Sequence, residues 1–255
     1  MRIEAGSGRS SLPDFRHTAL GEVGSTNTEA LQLARAGDTG HHWITAIRQT
    51  AGRGRRGRSW MSEPGNLYAS LLLIDAAPVE KLGALPLAVA VAVYDAIRAV
   101  MPPGGNPVTI KWPNDILVGG KKICGILLEG ERLADGRQAL VIGCGINIAV
   151  LPDHGLYPVT SLRVEGSTVS PDQIFAHLYQ TMAEILAIWN YGGGISAMIE
   201  RWRSSAGGIG QKITVNLPDR SLVGIFTGID EDGRLVLDLG SGMIERIAAG
   251  DVFFG

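Results

Sequence analysis

An α+β fold, in which a mixed β-sheet with flanking helices precedes a small C-terminal β-barrel, is the architecture this sequence predicts. Three observations predict it. Near-continuous apolar runs such as Leu67 to Ile74 read as strands buried on both faces. Long helical patterns, Val79 to Val100 and Pro171 to Tyr191, are interleaved with those strands. After Gly207-Gly208 the pattern changes to short strands separated by turn signals, which divides the chain into residues 1–206 and 207–255. A chain of 255 residues has room for one sizeable core and a small second unit.

Taken in order, Phe15 to Glu22 is expected to form a first strand. Thr26 with Glu29 three residues later reads as a capping box for a helix from about Asn27 to Ala36, closed by Gly37. Trp43 to Arg48 is a strand feeding an arginine-glycine loop, and Leu67 to Ile74 follows it. Val79 to Val100 is one long helix. Strands then come at Val108 to Trp112, Ile116 to Val118, Lys122 to Glu129 and Ala139 to Ile148, with Gly119-Gly120 as a hairpin turn. Pro171 at a first helical position opens the helix through Tyr191, and a second runs from Ile195 to Ser205. The barrel is assigned Lys212 to Leu217, Ser221 to Asp230, Leu235 to Leu239 and Met243 to Ile247, with Asp232-Gly233 among its turns.

Composition removes several function classes. With 45% hydrophobic and 19% charged residues the chain can bury a core, and its net charge of -2 supplies no overall field for nucleic acid or an anionic membrane. Its two cysteines, Cys124 and Cys144, match no zinc spacing and lie in apolar stretches, which fits a reducing cytoplasm. The N-terminus has no apolar stretch of a secretory signal. The run Leu82 to Tyr94 contains Pro86 and is short of the roughly 20 residues needed to cross a bilayer, so it reads as a buried helix and no membrane span is expected. None of His17, His41, His42, His154 and His177 shares a motif with a serine or carboxylate, and none is assigned a catalytic role.

Chemistry concentrates in the segment Gln49 to Trp60, where Arg53, Arg55, Arg56 and Arg58 stand among Gly52, Gly54 and Gly57. Guanidinium groups carry permanent charge and forked donors suited to carboxylate and phosphate, and glycines let backbone amides approach an anion. Such a loop can close over a phosphorylated intermediate. Arginine-glycine runs also serve as nucleic-acid tails and solvated loops, but this one lies between two strong strand patterns inside a folded domain. Mutual repulsion predicts a loop that is mobile when empty.

The loop is followed by Lys111-Trp112-Pro113-Asn114-Asp115, then by Gly120-Lys121-Lys122-Ile123-Cys124-Gly125-Ile126-Leu127 and by Gly143-Cys144-Gly145-Ile146-Asn147-Ile148. Four motifs in this order resemble the biotin protein ligases, and the resemblance covers nearly the whole chain from about Val23. It implies a mixed-sheet domain related to class II aminoacyl-tRNA synthetases and an SH3-like C-terminal barrel. The implied reaction joins biotin and ATP, with Mg²⁺, into biotinyl-AMP and pyrophosphate, then acylates one lysine of a carboxylase's biotin carboxyl carrier domain. The implied substrate pocket comprises Ser25, Thr26 and Asn27 at the ureido end, with Gln49, Gly52, Arg53, Arg55, Lys122, Gly125, Gly143 and Gly145; Gly143 and Gly145 leave room for the bicyclic ring. Arg58, Trp60, Lys111, Asn114 and Asn147 are implied for ATP, with Trp60 stacked on adenine. The implied catalytic set is Lys122, Arg55 and Asp115, the last also a magnesium ligand.

Local readings stand beside these. Thr26 also reads as a helix cap, Trp60 as a core or lid residue, and the Asn114-Asp115 pair as turn chemistry. Neighbouring strand residues face opposite ways, so only one of Lys121 and Lys122 enters the site; the family's lysine-x-x-glycine spacing selects Lys122. Lipoate or octanoate ligases and transferases are the nearest rivals, yet they lack the arginine-rich loop. A nucleic-acid-binding protein or a biotin-sensing repressor is the rival from another class. A repressor of this family carries a winged-helix domain ahead of the catalytic motifs, and only about two dozen residues precede Ser25, so a protein without DNA binding is expected. A homodimer is left open.

Overall fold

The protein is described from a computed structural model covering residues 14–151 and 158–254; His154 lies outside these. Seven strands form one mixed sheet in the order β1-β2-β3-β7-β6-β5-β4, and five form a second, antiparallel sheet in the order β11-β10-β9-β8-β12.

β1 (Arg16–Val23) and β2 (His42–Gln49) run parallel, joined by α1 (Thr26–Arg35); all other neighbours in the large sheet are antiparallel. β3 (Leu67–Ile74) is buried along nearly its whole length because both its faces are covered, with Ser70 its one small polar residue. Leu67, Ala69, Leu71 and Leu73 join the main core with α2 (Leu85–Ala99) and α3 (Pro171–Trp189), whereas Leu72 packs with Ala30 and Ala34 of α1 on the opposite face. α4 (Ile195–Ser205) packs on α2. The remaining strands of this sheet are β4 (Val108–Lys111), β5 (Asp115–Val118), β6 (Lys121–Arg132) and β7 (Gln138–Ile146). Gly119 and Gly120, both at positive φ, make the β5–β6 turn as expected.

The second sheet contains β8 (Lys212–Asn216), β9 (Ser221–Ile229), β10 (Leu235–Gly240), β11 (Met243–Ile247) and β12 (Asp251–Phe254). It is the SH3-like C-terminal unit. The main hydrophobic cluster runs on into it through Ile213, Val215, Phe226 and Val252. Trp112 Nε1 donates to the Gly233 carbonyl at 3.1 Å, and the Gly207 amide donates to the Ile110 carbonyl at 2.9 Å, so the sheet is fastened beside β4.

Four expectations change. The single helix from Val79 to Val100 is a 3₁₀ segment, Val79–Ala84, leading into α2; Pro86, with no amide hydrogen, is tolerated only in the first turn of the α-helix. Together they span 21 residues, long and apolar enough by composition to cross a membrane, and most of that run is buried in the core. The capping box at Thr26 does not form: Ser25 is the cap residue, without a side-chain cap bond, and the Thr26 hydroxyl is used elsewhere. A capping box forms instead between Ser170 and Gln173 at the start of α3. β12, four residues opening on an aspartate, is too short to show an alternation and is new.

Candidate active site

Register places the site. Directly paired residues in an antiparallel sheet share a face, so Ser70, Gly143 and Leu127 form one row and Tyr68, Gly145 and Gly125 the next. These rows floor a cavity of about 430 Å³ on the side of the sheet that carries α1. Such a volume lies within the usual range for small-molecule sites. The cavity is walled by the N-terminus of α1, the arginine loop, and the ends of β4, β5 and β12.

One end is neutral and polar. The Thr26 amide and hydroxyl both donate to Gln49 Oε1, at 2.9 and 3.1 Å, while Gln49 Nε2 donates to Ser62 Oγ at 2.9 Å. Ser70 Oγ lies 2.6 Å from Asn27 Oδ1 and 2.7 Å from Thr26 Oγ1. Asn27 Nδ2 donates to Glu129 Oε2 at 2.7 Å, which fixes the orientation of the amide. Glu129 also holds Arg53 at 3.0 Å, and Arg53 reaches Thr28 Oγ1. Ser25, Thr26, Asn27, Gln49 and Arg53 thus line one cavity.

The other end is cationic. Lys111 and Asp115 are opposite one another where β4 turns into β5, and Lys122 is opposite Leu117, so all three side chains share a face. Lys122 Nζ sits 2.8 Å from Asp115 Oδ1. Lys111 is 8% exposed; burial pulls its ammonium below the ordinary lysine range, and the nearby charges of Lys122 and Arg55 act in the same direction while Asp115 opposes them. Five basic side chains (Arg53, Arg55, Arg58, Lys111 and Lys122) and two carboxylates (Asp115 and Asp251) line the cavity. In a chain of net charge -2 this local excess marks an anion site.

Lys122 enters the site through a β-bulge. Ile116 pairs with Cys124 but Leu117 pairs with Lys122, leaving Ile123 as an extra residue. Without that bulge, strict alternation would send Lys122 to the face of Cys124 and Ile126, away from Gly125. Lys121 is exposed on the strand's other side, as expected.

Gly125, Gly143 and Gly145 line the cavity, and the space beside each is occupied by a neighbouring side chain. A side chain on Gly143 would collide with Asn27, and one on Gly125 would come within 2.8 Å of the Trp60 ring; one on Gly145 would strike the same indole. These glycines therefore give close approach to Asn27 and to Trp60, which lies on the floor with Lys122 Nζ 5.6 Å from its ring centre. Gly52 does not line the cavity; it lies against the Trp60 carbonyl and Ser62, at the base of the loop. Asn114 does not line it either, being buried with its amide 3.4 Å from the Ile126 carbonyl. Asn147 does, with its amide donating to the Thr160 carbonyl at 3.1 Å.

The arginine loop is a compact turn. Trp60 N donates to the Gly52 carbonyl and Gly54 N to that of Arg58, at 2.9 and 2.7 Å. The expected repulsion among its arginines is offset by Glu129 and by Asp251, a residue sequence reasoning missed because β12 was missed. Ser70, Ser62 and Glu129 were also missed; only their register with Gly143 and their reach to Asn27 and Gln49 reveal them.

Burial disfavours a thiolate at either cysteine, pushing the Cys124 thiol well above its ordinary value and that of Cys144 to about 12. Among the described residues no histidine lines the cavity, and no group of three or more His, Cys, Asp or Glu side chains is arranged to hold a metal.

The family model for biotin/lipoate A/B protein ligases matches residues 23–147, and that for the biotin protein ligase C-terminal domain matches residues 208–255. A biotin–[acetyl-CoA-carboxylase] ligase of Paracoccus denitrificans is 36% identical over 92% of this chain and 99% of its own length. One from Mycobacterium tuberculosis is 34% identical over 98% of this chain and 91% of its own. Among solved structures, a biotin protein ligase from Aquifex aeolicus in complex with biotin and ATP superposes with a TM-score of 0.78, at 27% identity, over 93% of this chain and 97% of that one. The fold, the site and these likenesses agree: the chain belongs to the biotin protein ligase family.

Proposed function

We propose that this protein adenylates biotin with ATP and transfers the biotinyl group to one lysine of the biotin carboxyl carrier domain of a carboxylase. The observation that carries the proposal is the division of a single cavity into a neutral polar end, built by Ser25, Thr26, Asn27 and Gln49 with Ser70 bonded behind them, and a cationic end, built by Arg55, Lys111 and Lys122. A ureido group has N–H donors and a carbonyl acceptor to match the first end. A carboxylate and a triphosphate match the second.

In the first step a biotin carboxylate oxygen attacks the α-phosphorus, the bond from that phosphorus to the bridging oxygen of the β-phosphate breaks, and pyrophosphate leaves. Two anions must approach one another, so fixed cations at their meeting point lower the barrier most as charge builds there. Lys122 and Arg55 hold that position. In the second step the carrier lysine's amine attacks the acyl carbon of the mixed anhydride, AMP leaves, and the amine gives up a proton. The anhydride is already activated, so this step chiefly requires orientation.

Magnesium, when bound, would supply charge neutralisation on the ATP phosphates. It usually keeps several waters and takes one or two carboxylates beside the substrate's own oxygens, and Asp115 fits as one such ligand. The same carboxylate pairs with Lys122 at 2.8 Å.

We further propose a cytoplasmic enzyme that works without DNA or membrane. Both cysteines are unpaired and buried, as suits a reducing compartment, and five of the seven basic side chains of the motifs, all but Arg56 and Lys121, line the cavity instead of covering a surface. Incubation with biotin, MgATP and an isolated carrier domain tests the reading: intact mass should rise by one biotinyl group on a single lysine. Modification with lipoate and not biotin would overturn it.

A further inference from the structure

Three guanidinium groups from one short loop converge on one carboxylate from the far end of the chain. Asp251 opens β12 and is 7% exposed. Its Oδ2 accepts from Arg56 Nη1 at 2.8 Å and from Arg58 Nη2, while Arg55 Nη2 stands 4.0 Å from Oδ1. Arg56 does not line the cavity; Arg55 and Arg58 do. Arg56 also holds φ +58°, a left-handed conformation that non-glycine residues rarely adopt. In that conformation its guanidinium pairs with Asp251. The next residue of β12, Val252, is part of the cavity wall, so the strand carrying the carboxylate is itself part of the site.

We propose that Asp251 is a positioning residue, the counter-charge by which the C-terminal sheet holds the arginine loop over the cavity and aims Arg55 at the adenylate phosphate. A single negative charge cannot neutralise three positive ones, so the clamp leaves the site cationic while removing the repulsion that would otherwise spread the loop. Arg56 and Arg58 bear on Asp251 directly; Arg55, the most distant, is the one presented to ligand. The C-terminal sheet is on this account a working part of the ATP site. The inference rests on the ligase reading for its ligand, but the clamp itself is measurable without catalysis.

Asp251→Asn keeps the shape and removes the charge; Asp251→Glu keeps the charge. In the ligand-free full chain, tryptic cleavage after Arg55, Arg56 and Arg58 should speed up about tenfold in Asp251→Asn, as loss of a charged hydrogen-bond partner implies, and stay near wild type in Asp251→Glu. In biotin-dependent pyrophosphate exchange, Asp251→Asn should raise the KM for ATP about tenfold with a smaller change in kcat, and Asp251→Glu should restore it. Arg56→Ala, which leaves the cavity lining intact, gives a second route: it should speed loop cleavage and raise the KM for ATP in the same direction. Unchanged cleavage in Asp251→Asn and Arg56→Ala would overturn the clamp. So would a lower KM for ATP in Asp251→Asn, which would make the carboxylate a competitor for the anion site. If wild-type protein catalyses no biotin-dependent exchange, the ligase reading fails, and the cleavage rates still decide the clamp.

Discussion

Lys121 and Lys122 are chemically identical neighbours with opposite fates. Lys122 lies in the cavity, 2.8 Å from Asp115 and over the Trp60 ring, whereas Lys121 is exposed. Lys122→Ala removes a cation from the point where two anions meet and leaves Asp115 without its partner. Adenylate formation, read by pyrophosphate release, should fall by at least about tenfold, equal to roughly 1.4 kcal/mol of barrier. Lys121→Ala should change it less than about twofold, since exposed charges away from a site contribute little. The reverse pattern would remove Lys122 from the mechanism. The choice between these lysines came from a family spacing, and residue alternation alone would have failed: the bulge at Ile123 is what brings Lys122 and Gly125 to one face. A one-residue bulge leaves no mark in the apolar stretch from Ile123 to Leu128, so the register was not legible in the sequence, although the residue was. The glycines show the converse. Their need for space was legible, but which side chain fills it, Asn27 or Trp60, depends on how loop and helix fold onto the sheet.

Elements were read best where a long periodic run or a strong breaker sets their limits, as for β3, α4 and β11, whose observed bounds coincide with those expected. Helix α1 shows where local logic gives way to tertiary contacts: Thr26, a good cap by residue type, spends its hydroxyl on Gln49 instead. The β1-α1-β2 unit that carries the neutral end of the pocket is tied at its turn by Asp38. This carboxylate bonds Arg16 of β1 at 2.6 Å and the Gly40 amide at 2.8 Å, with His42 Nδ1 of β2 at 2.9 Å. Burial alone would raise its carboxyl, but these bonds outweigh that and hold it at about 2, below the ordinary 3.8. A carboxyl lowered on folding stabilises the native state above its unfolded value and ceases to do so as pH falls through the folded one. The unit should therefore lose about 2 kcal/mol between roughly pH 4 and pH 2. Denaturant titrations across that range should show a steeper loss in wild type than in Asp38→Asn. Parallel curves would mean that Asp38 is not the acid-sensitive tie.

Across the whole molecule, the cavity draws on both sheets. Four sequence motifs supply its floor and cationic end, and the C-terminal sheet adds Asp251 and Val252. The two-part organisation was legible from the change of strand pattern after Gly208. The dependence of the site on the second part was not, because β12 is four residues long and its contact with the arginine loop spans some 195 residues of sequence. The core runs without a break between the parts, through Trp112 and Phe226, so the barrel is held where Asp251 can reach the loop. In the proposed reaction this one cavity joins a biotin carboxylate to the α-phosphate of ATP. Exchange of labelled pyrophosphate into ATP, run with biotin, with lipoate and with no acid, tests it most directly. Exchange that depends on biotin is predicted; exchange with lipoate alone, or equal exchange in all three, would contradict the account.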